Sequence, residues 1–299
     1  MIPRRLELLA MALFAGCTFS PILRAQTAPA KTAGGEVNQE KWNNVPPRKS
    51  TYAGKKSDPA PRRDLSGIWD GATSAGNGLE DQGAPAMPED GKPEHQIPFT
   101  PLGLEKFKLT KPSNGPRQSE LGEINDPLYM CDPMGFPRIE LFELRTIEIA
   151  QTANQVIYLN EYYGQWRIIW TDGRELPKDP DPRWNGYSVG KWVDDYTFVV
   201  QTVGMKEATW IDNVGRPHSD ALRVEERFHR VDHDNMELSM TIDDPKMYTK
   251  PWLALDKYPL RLQSADFDMP EYLCAPSEMG DYNSQIGNRG GLPASPNNK

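Results

Sequence analysis

From about residue 137 onward, apolar and polar side chains alternate at every second position. A period of two is typical of strands that bury one face and expose the other. Turn-forming pairs such as Asp172-Gly173 and Asp194-Asp195 separate most of the alternating segments. Seven segments rich in β-branched and aromatic residues each predict a strand: residues 138–149, 155–162, 166–171, 187–192, 196–203, 221–231 and 236–243. The pattern predicts an all-β fold, an antiparallel meander that closes into a barrel or, as the second choice, packs as a sandwich.

The last two segments predict a hairpin in detail. Apolar residues such as Phe228 and Leu238 can face one another only if the numbers of opposing residues add up to an even value. A loop of residues 233–235 gives this parity, with Asn235 in the left-handed conformation. The other face is expected to be either a solvated surface with ion pairs or the polar lining of a cavity, and its members are Arg223, Glu225, Arg227, His229, Glu237, Thr241 and Asp243.

The part of the domain that precedes the strands predicts mostly loop, because residues 71–137 are rich in proline. One short helix is expected at residues 100–107. Thr100 can cap this helix, and Pro101 occupies the first helical position, where its missing N–H costs nothing.

The first residues of the chain indicate export, and both ends lie outside the predicted domain. Residues 1–25 combine a basic start, a short apolar run and the small residue Ala25, as a cleaved signal peptide does. The run is too short for a permanent membrane span. Residues 14–17 leave a lipoprotein cleavage box as an alternative, in which a lipid on Cys17 would be the membrane contact. Residues 26–63 and 275–299 predict a disordered linker and tail, with a single domain at residues 64–274.

The cysteines and the net charge limit the compartment and the partners that we expect for this protein. Cleavage after Ala25 leaves Cys131 and Cys274, which predict one disulfide in an oxidising compartment, with two unpaired buried thiols as the alternative. The net charge of −8 repels phosphate backbones, so we do not expect nucleic acid as a partner.

Loops between the strands supply the candidate site. His218 is a candidate general acid or base, oriented by Asp212 or Asp220. In the alternative, the two aspartates cap turns and His218 bonds a backbone carbonyl. The predicted ligand contacts are Arg174, Asp172, Trp184, Trp210, Arg216 and Ser219.

Tryptophan is frequent in the predicted domain. Trp166 and Trp170 share one face of a predicted strand. Indole rings either fill a core or line a pocket on which an apolar ligand or a flat sugar stacks. We predict no metal site and no cofactor, because zinc-type histidine motifs and dinucleotide fingerprints are absent from the sequence. We also expect no nucleophile elbow of the hydrolase type.

Two resemblances to known families add to these predictions. Gly67-Ile68-Trp69 resembles the Gly-x-Trp that opens the first strand of lipocalin-like barrels, which implies such a barrel here. Residues of about 130 to 275 resemble a large group of exported bacterial proteins of unassigned role. That resemblance implies export and a shared β domain but no reaction, and it is carried by Asp172-Gly173-Arg174, residues 186–192, Pro217-His218-Ser219-Asp220 and Asp243-Asp244-Pro245.

Two functional hypotheses follow. The first is an exported, periplasmic or extracellular β-barrel that binds a small apolar or carbohydrate ligand. The second is a secreted hydrolase or lyase that uses His218 with Asp212 or Asp220. A structural or interaction module of the envelope is a third possibility.

Overall fold

Nine β-strands form a closed barrel in the computed structural model of the protein. The structure describes residues 57–71, 79–142 and 145–278. The predicted signal peptide, Cys17, the linker up to residue 56 and the tail from residue 279 lie outside these residues. The strands are β1 (Gly67–Gly71), β2 (Ile147–Gln151), β3 (Gln155–Asn160), β4 (Trp166–Trp170), β5 (Tyr187–Trp192), β6 (Thr197–Val203), β7 (Arg223–Arg230), β8 (Asn235–Asp243) and β9 (Trp252–Leu262).

Helices are few and short. The described α-helices are α1 (Leu79–Gln82), α2 (Pro101–Leu109) and α3 (Arg138–Leu141), and 3-10 turns occupy Pro93–His95, Leu121–Glu123 and Pro127–Met130. Helix α2 is the one predicted from the sequence: the hydroxyl of Thr100 accepts a hydrogen bond from the N–H of Gly103, and Pro101 opens the helix. No helix in the described ranges has the length and the apolar character needed to cross a membrane.

Consecutive strands are neighbours around the barrel, and β1 closes it by pairing with both β2 and β9. The predicted all-β barrel is therefore confirmed. The predicted antiparallel meander is wrong at one place, because β4 and β5 run parallel. Parallel neighbours require the chain to return to its starting end, and residues 171–186 make this return. The parallel pairing is short, with Ile169 opposite Ser188 and Trp170 opposite Val189.

Two further strand predictions need correction. Residues 138–141 were predicted as strand and form α3, whose four residues are all buried. Apolar and charged side chains alternate there, but both kinds are inside, so the period of two did not mark an exposed face. Strand β9 was not predicted, because Pro259 interrupts its sequence and two register shifts against β8 break its alternation.

The hairpin of β7 and β8 has the predicted parity. Phe228 lies opposite Leu238 and Val224 lies opposite Ile242, whereas Glu226 and Arg230 face methionines on the same inner face. The loop is one residue earlier than predicted, at residues 232–234, because the N–H of Val231 donates to the carbonyl of Asn235. Asn235 does not adopt the predicted left-handed backbone. Its side chain instead donates to the carboxylate of Asp232, at 2.6 Å, and so fixes the turn.

Trp69 of β1 is buried inside the barrel, where it packs against Arg230. Its side chain is fully buried, and the guanidinium of Arg230 lies 4.5 Å from the centre of an indole ring. Arg230 also donates hydrogen bonds to three backbone carbonyls, those of Asp64, Asp232 and His233. One side chain therefore ties the chain just before β1 to the loop between β7 and β8.

Segments at both ends of the described chain lie against the barrel. Part of the predicted linker is included: Ser57 donates to Asp232 at 2.9 Å, and the N–H of Arg63 donates to the carbonyl of Asp195. The predicted disulfide joins Cys131 to Cys274, with their Cα atoms 5.6 Å apart. It therefore fixes the segment that follows β9 to the segment that precedes β2.

Replacing Arg230 by Met tests the role of this side chain. Three carbonyls lose a donor while the apolar volume is kept, so we expect the free energy of unfolding in urea to fall by about 2–4 kcal/mol. The matched control is Arg227→Met, because Arg227 lies on the outer face of the same strand with half of its side chain exposed. The control should change stability by less than about 0.5 kcal/mol. Equal effects of the two substitutions would contradict the assignment.

Candidate functional site

A groove of about 480 Å³ runs along β4, the start of β5 and the turn that precedes β5. On β4 the usual polarity is reversed: Arg167 points into the barrel, whereas Trp166 is 60% exposed on the outer face. Exposed tryptophan is uncommon on a surface that has no partner. Four aromatic residues line this groove: Trp166, Trp170, Trp184 and Tyr187.

The parallel pairing of β4 with β5 creates the opening. The two strands pair only through the end of β4, so the Trp166 end of the strand has no neighbour in β5. The turn of residues 183–186 fills this place, closed by a hydrogen bond from the N–H of Gly186, which has a φ of +63°, to the carbonyl of Arg183. The side-chain amide of Asn185 donates to the carbonyl of Trp166 at 2.9 Å and replaces the missing strand partner.

Backbone contacts also fix Trp184 within this turn. Its carbonyl accepts a hydrogen bond of 2.9 Å from the N–H of Phe136. Gly135, with a φ of +68°, lets the two chains approach, because a Cβ there would lie 2.7 Å from that carbonyl oxygen. The turn therefore holds the indole at the groove on a rigid support.

Two amide side chains give the groove hydrogen-bonding capacity. The amide nitrogen and oxygen of Gln165 and the amide oxygen of Asn185 are buried without a hydrogen-bond partner in the described chain, and both residues line the groove. Buried polar groups normally find partners. An amide can donate and accept at once, so these residues suit a ligand rich in hydroxyl groups.

Cations lie over three of the aromatic rings. The distances from the charged group to a ring centre are 3.4 Å for Arg174 on Trp170, 4.1 Å for Arg183 on Tyr187 and 4.4 Å for Lys206 on Trp184. Such stacks hold a ring in place and contribute about 0.5–1 kcal/mol each at exposed sites. The groove is thus a preformed aromatic surface with positive charge at its edges.

Three of the ligand contacts predicted from the sequence lie at or beside the groove. Trp184 lines it, and Arg174 reaches it through the stack on Trp170. Asp172 holds Arg174 through an ion pair of 2.6 Å, and this hydrogen bond lowers the pKa of the Asp172 carboxyl.

The other three predicted contacts do not line the groove. Trp210 is buried, and the guanidinium of Arg138 lies 5.1 Å from the centre of its ring. Ser219 donates its hydroxyl proton to Asp244 at 2.8 Å, and both residues are buried. Arg216 forms an ion pair with buried Asp212 and donates to the carbonyl of Ala84 at 2.7 Å, which anchors the loop that follows α1. These side chains make structural contacts among the loops.

His218 is buried and is not hydrogen-bonded to either aspartate named as its orienting partner. Its Nε2 lies 2.8 Å from the hydroxyl of Thr209, and its Nδ1 lies 3.2 Å from the carbonyl of Ser219. Because a carbonyl can only accept, Nδ1 carries the proton and Nε2 accepts from the hydroxyl. Burial lowers the pKa of His218, so the ring is neutral near pH 7. Asp212 is committed to Arg216, and Asp220 forms an exposed ion pair with Lys246.

Ser188 is the centre of a Gly-x-Ser-x-Gly spacing, residues 186–190, that we did not expect. A nucleophile elbow places this serine on a sharp turn between a strand and a helix. Ser188 instead lies within β5, faces the interior and shares a hydrogen bond of 2.9 Å with the hydroxyl of Thr202. It therefore has the environment of a structural serine.

A charged cluster occupies the barrel interior behind the groove. Arg167 of β4 places one guanidinium nitrogen 2.5 Å from Glu226 of β7 and 3.1 Å from Glu140 of α3. Both glutamates are fully buried, and Tyr158 of β3 lies beside them with its ring 5.1 Å from the guanidinium carbon. The sequence did not predict this cluster, because Glu140 was placed on a predicted strand and nothing in the pattern marked Arg167 as buried.

The two carboxyls of the cluster carry different charges. Burial raises the pKa of Glu140 well above its ordinary value, and the negative charge of Glu226 raises it further. Glu140 is therefore protonated near neutral pH, while Glu226 balances the charge of Arg167. Burial likewise raises the pKa of Tyr158, which keeps its proton. In the described part of the chain, no group of three or more His, Cys, Asp or Glu side chains comes together that could hold a metal ion.

Comparison of the chain with protein-family models, with curated proteins and with solved structures found no match. The resemblances to lipocalins and to exported bacterial proteins therefore stay predictions.

The charge state of Glu140 gives the protein a specific pH dependence. An unfolded glutamate loses its proton near pH 4.5, whereas folded Glu140 keeps its proton to higher pH. Between these two pKa values the folded state therefore loses stability as the pH rises, by up to roughly 1.4 kcal/mol per pH unit. Glu140→Gln keeps a neutral polar group that cannot ionise, so this loss should disappear. We expect the variant to exceed the wild type by about 1–3 kcal/mol in urea at pH 7 and to match it at pH 4.5.

The control for this experiment is Glu225→Gln, because Glu225 adjoins Glu226 but lies on the outer face with 38% of its side chain exposed. Its pH profile should follow that of the wild type. Parallel profiles for Glu140→Gln and the wild type between pH 4.5 and 8 would show that Glu140 is ionised in the folded protein.

Proposed function

We propose that this protein is exported and binds a carbohydrate in the groove beside β4 and β5. The observation that carries this proposal is the set of four aromatic rings that line one groove, three of which have a cation stacked on them. The C–H face of a sugar ring is apolar and flat, so it stacks on an indole as other apolar groups do.

The polar groups of the groove favour a carbohydrate over a purely apolar ligand. The amide of Gln165 and the amide oxygen of Asn185 are buried at the groove and have no hydrogen-bond partner in the described chain. An apolar ligand would leave them unpaired, at a cost of about 1–3 kcal/mol for each group. Sugar hydroxyls can donate to both amide oxygens and can accept from the amide nitrogen of Gln165.

Export is part of the proposal and is supported by the disulfide between Cys131 and Cys274. Disulfides persist in oxidising compartments and are rare in the cytosol. The alternative function, a hydrolase or lyase that uses His218, has less support. His218 is buried and bonded to Thr209 and Ser219, and neither aspartate orients it.

Replacing Trp166 by Ala tests the proposal. The panel contains hexasaccharides of glucose, N-acetylglucosamine, mannose and galacturonic acid, with palmitate as the apolar comparison, and binding is measured by isothermal titration calorimetry. We expect at least one saccharide to bind and the substitution to weaken this binding about tenfold, which is the loss of roughly 1.4 kcal/mol of stacking. Because Trp166 is mostly exposed, the variant should keep the melting temperature of the wild type.

The matched control is Tyr196→Ala, which removes an aromatic residue that is 39% exposed and does not line the groove. This variant should bind the saccharide with unchanged affinity. The proposal fails if palmitate is the only ligand that binds, if nothing binds, or if both substitutions weaken binding equally.

A further inference from the structure

We propose that the groove selects an acidic carbohydrate, whose carboxylate is bound by Arg183 and Lys206. This inference rests on the function proposed above and adds the chemical class of the ligand. It starts from the charges at the groove and not from its aromatic rings.

The backbone brings the two cations together. The N–H of Arg183 donates to the carbonyl of Gly204 at 3.0 Å, and the N–H of Lys206 donates to the carbonyl of Arg183 at 2.9 Å. These bonds form a parallel bridge between Arg183 and Met205, so the two cations lie on adjacent stretches of chain with Trp184 next to Arg183 in sequence. Their positions are therefore set by main-chain hydrogen bonds.

Each cation is also oriented by an aromatic ring of the groove. Arg183 stacks on Tyr187 at 4.1 Å, and Lys206 stacks on Trp184 at 4.4 Å. A guanidinium that stacks through its flat face keeps its N–H groups directed outward in its own plane. That geometry leaves the donors available to a carboxylate at the edge of the rings.

The charges of Arg183 and Lys206 are not neutralised within the described chain. Neither side chain forms an ion pair there, in contrast to Arg174, which is bound by Asp172. Glu207, the carboxylate next to Lys206 in sequence, is engaged by Lys106 at 3.5 Å. The residues that line the groove include no aspartate or glutamate. On a chain with a net charge of −8, this local excess of positive charge is a specific feature.

A sugar acid fits this arrangement of groups. Its ring offers an apolar face to Trp184 or Tyr187, and its carboxylate lies at the rim of the ring, where the two cations are. Arginine binds a carboxylate through two parallel hydrogen bonds, and lysine adds a point charge. A neutral sugar would use the rings and the amides but would leave both cations without a partner.

The experiment compares two ligands with the same sugar chain, one with free carboxylates and one with neutral methyl esters in their place. Trigalacturonic acid and its fully methyl-esterified form are titrated into the purified protein at constant pH and salt. We expect the acid to bind about ten times more tightly than the ester, because charge-assisted hydrogen bonds are about twice as strong as neutral ones. Arg183→Gln and Lys206→Gln should each reduce this preference about threefold, and the double substitution should remove it.

Two control substitutions test whether the preference for the acid depends specifically on Arg183 and Lys206. Arg174→Gln removes a cation whose charge Asp172 already offsets, and it should keep the preference for the acid. Arg183→Lys keeps the charge and should retain part of the preference. Both cations are exposed, so far-ultraviolet circular dichroism and the melting temperature of each variant should equal those of the wild type.

The outcomes separate this inference from the function on which it rests. Equal binding of the acid and the ester would overturn the selection of acidic ligands and leave carbohydrate binding intact. A preference that survives the double substitution would overturn the assignment to Arg183 and Lys206. Failure of both ligands, together with failure of every saccharide in the panel above, would overturn the proposed function itself.

Discussion

The contact of Arg167 with two buried carboxyls is the interaction on which this barrel depends. Strand β4 pairs with β5 through only two residue pairs, so the sheet is weakly connected between these two strands. Arg167 joins the strand across the interior to Glu226 on β7 and to Glu140 on α3. Removing one partner from a buried ion pair costs about 3–5 kcal/mol, because the remaining charge stays buried. The cluster therefore holds β4 in place from the inside.

Protonation makes this cluster compatible with an apolar interior. Two ionised glutamates beside one arginine would leave a net negative charge in a medium that stabilises charge poorly. With the proton kept on Glu140, the positive charge of Arg167 is balanced by Glu226 alone. The aromatic ring of Phe136, 4.1 Å from the guanidinium, covers another side of the cation. The cluster thus contains one ion pair with neutral groups around it.

The inner cluster and the outer groove both result from the orientation of β4, which has a charged side chain inside the barrel and an apolar one outside it. Because side chains alternate along a strand, placing Arg167 inside turns Trp166 and Ile168 outward. These apolar side chains cannot contribute to the core, and they form a surface suited to a ligand instead. Substitutions of Arg167 can therefore be expected to disturb the outer face of β4, where Trp166 lines the groove.

Much of the fold could be predicted from the sequence, wherever one face of a strand is apolar and the other polar. The β7–β8 hairpin largely has that pattern, and parity predicts which faces of the two strands oppose each other, although the loop lies one residue earlier than predicted. Helix α3 and strand β4 do not have it, because Arg138, Glu140 and Arg167 are charged and buried, which only the tertiary partners explain. The site was predicted in part: Trp184, Arg174 and Asp172 lie at or beside the groove, whereas Gln165, Arg183 and Lys206 carried no local signal. The Asp-rich loop around His218 gave a strong signal, but its polar groups stabilise one another.

The disulfide divides the barrel into a covalently closed part and one separate strand. Residues between Cys131 and Cys274 include eight of the nine described strands, and β1 lies outside this ring. Strand β1 nevertheless pairs with both β2 and β9 and completes the circle. A chain cut between residues 71 and 131 would leave β1 attached by non-covalent contacts, among them its strand hydrogen bonds, the ion pair of Arg62 with Asp195 and the packing of Leu65 and Trp69. A synthetic peptide with the sequence of β1 could then bind to a protein that lacks this strand. It would pair with the free edges of β2 and β9.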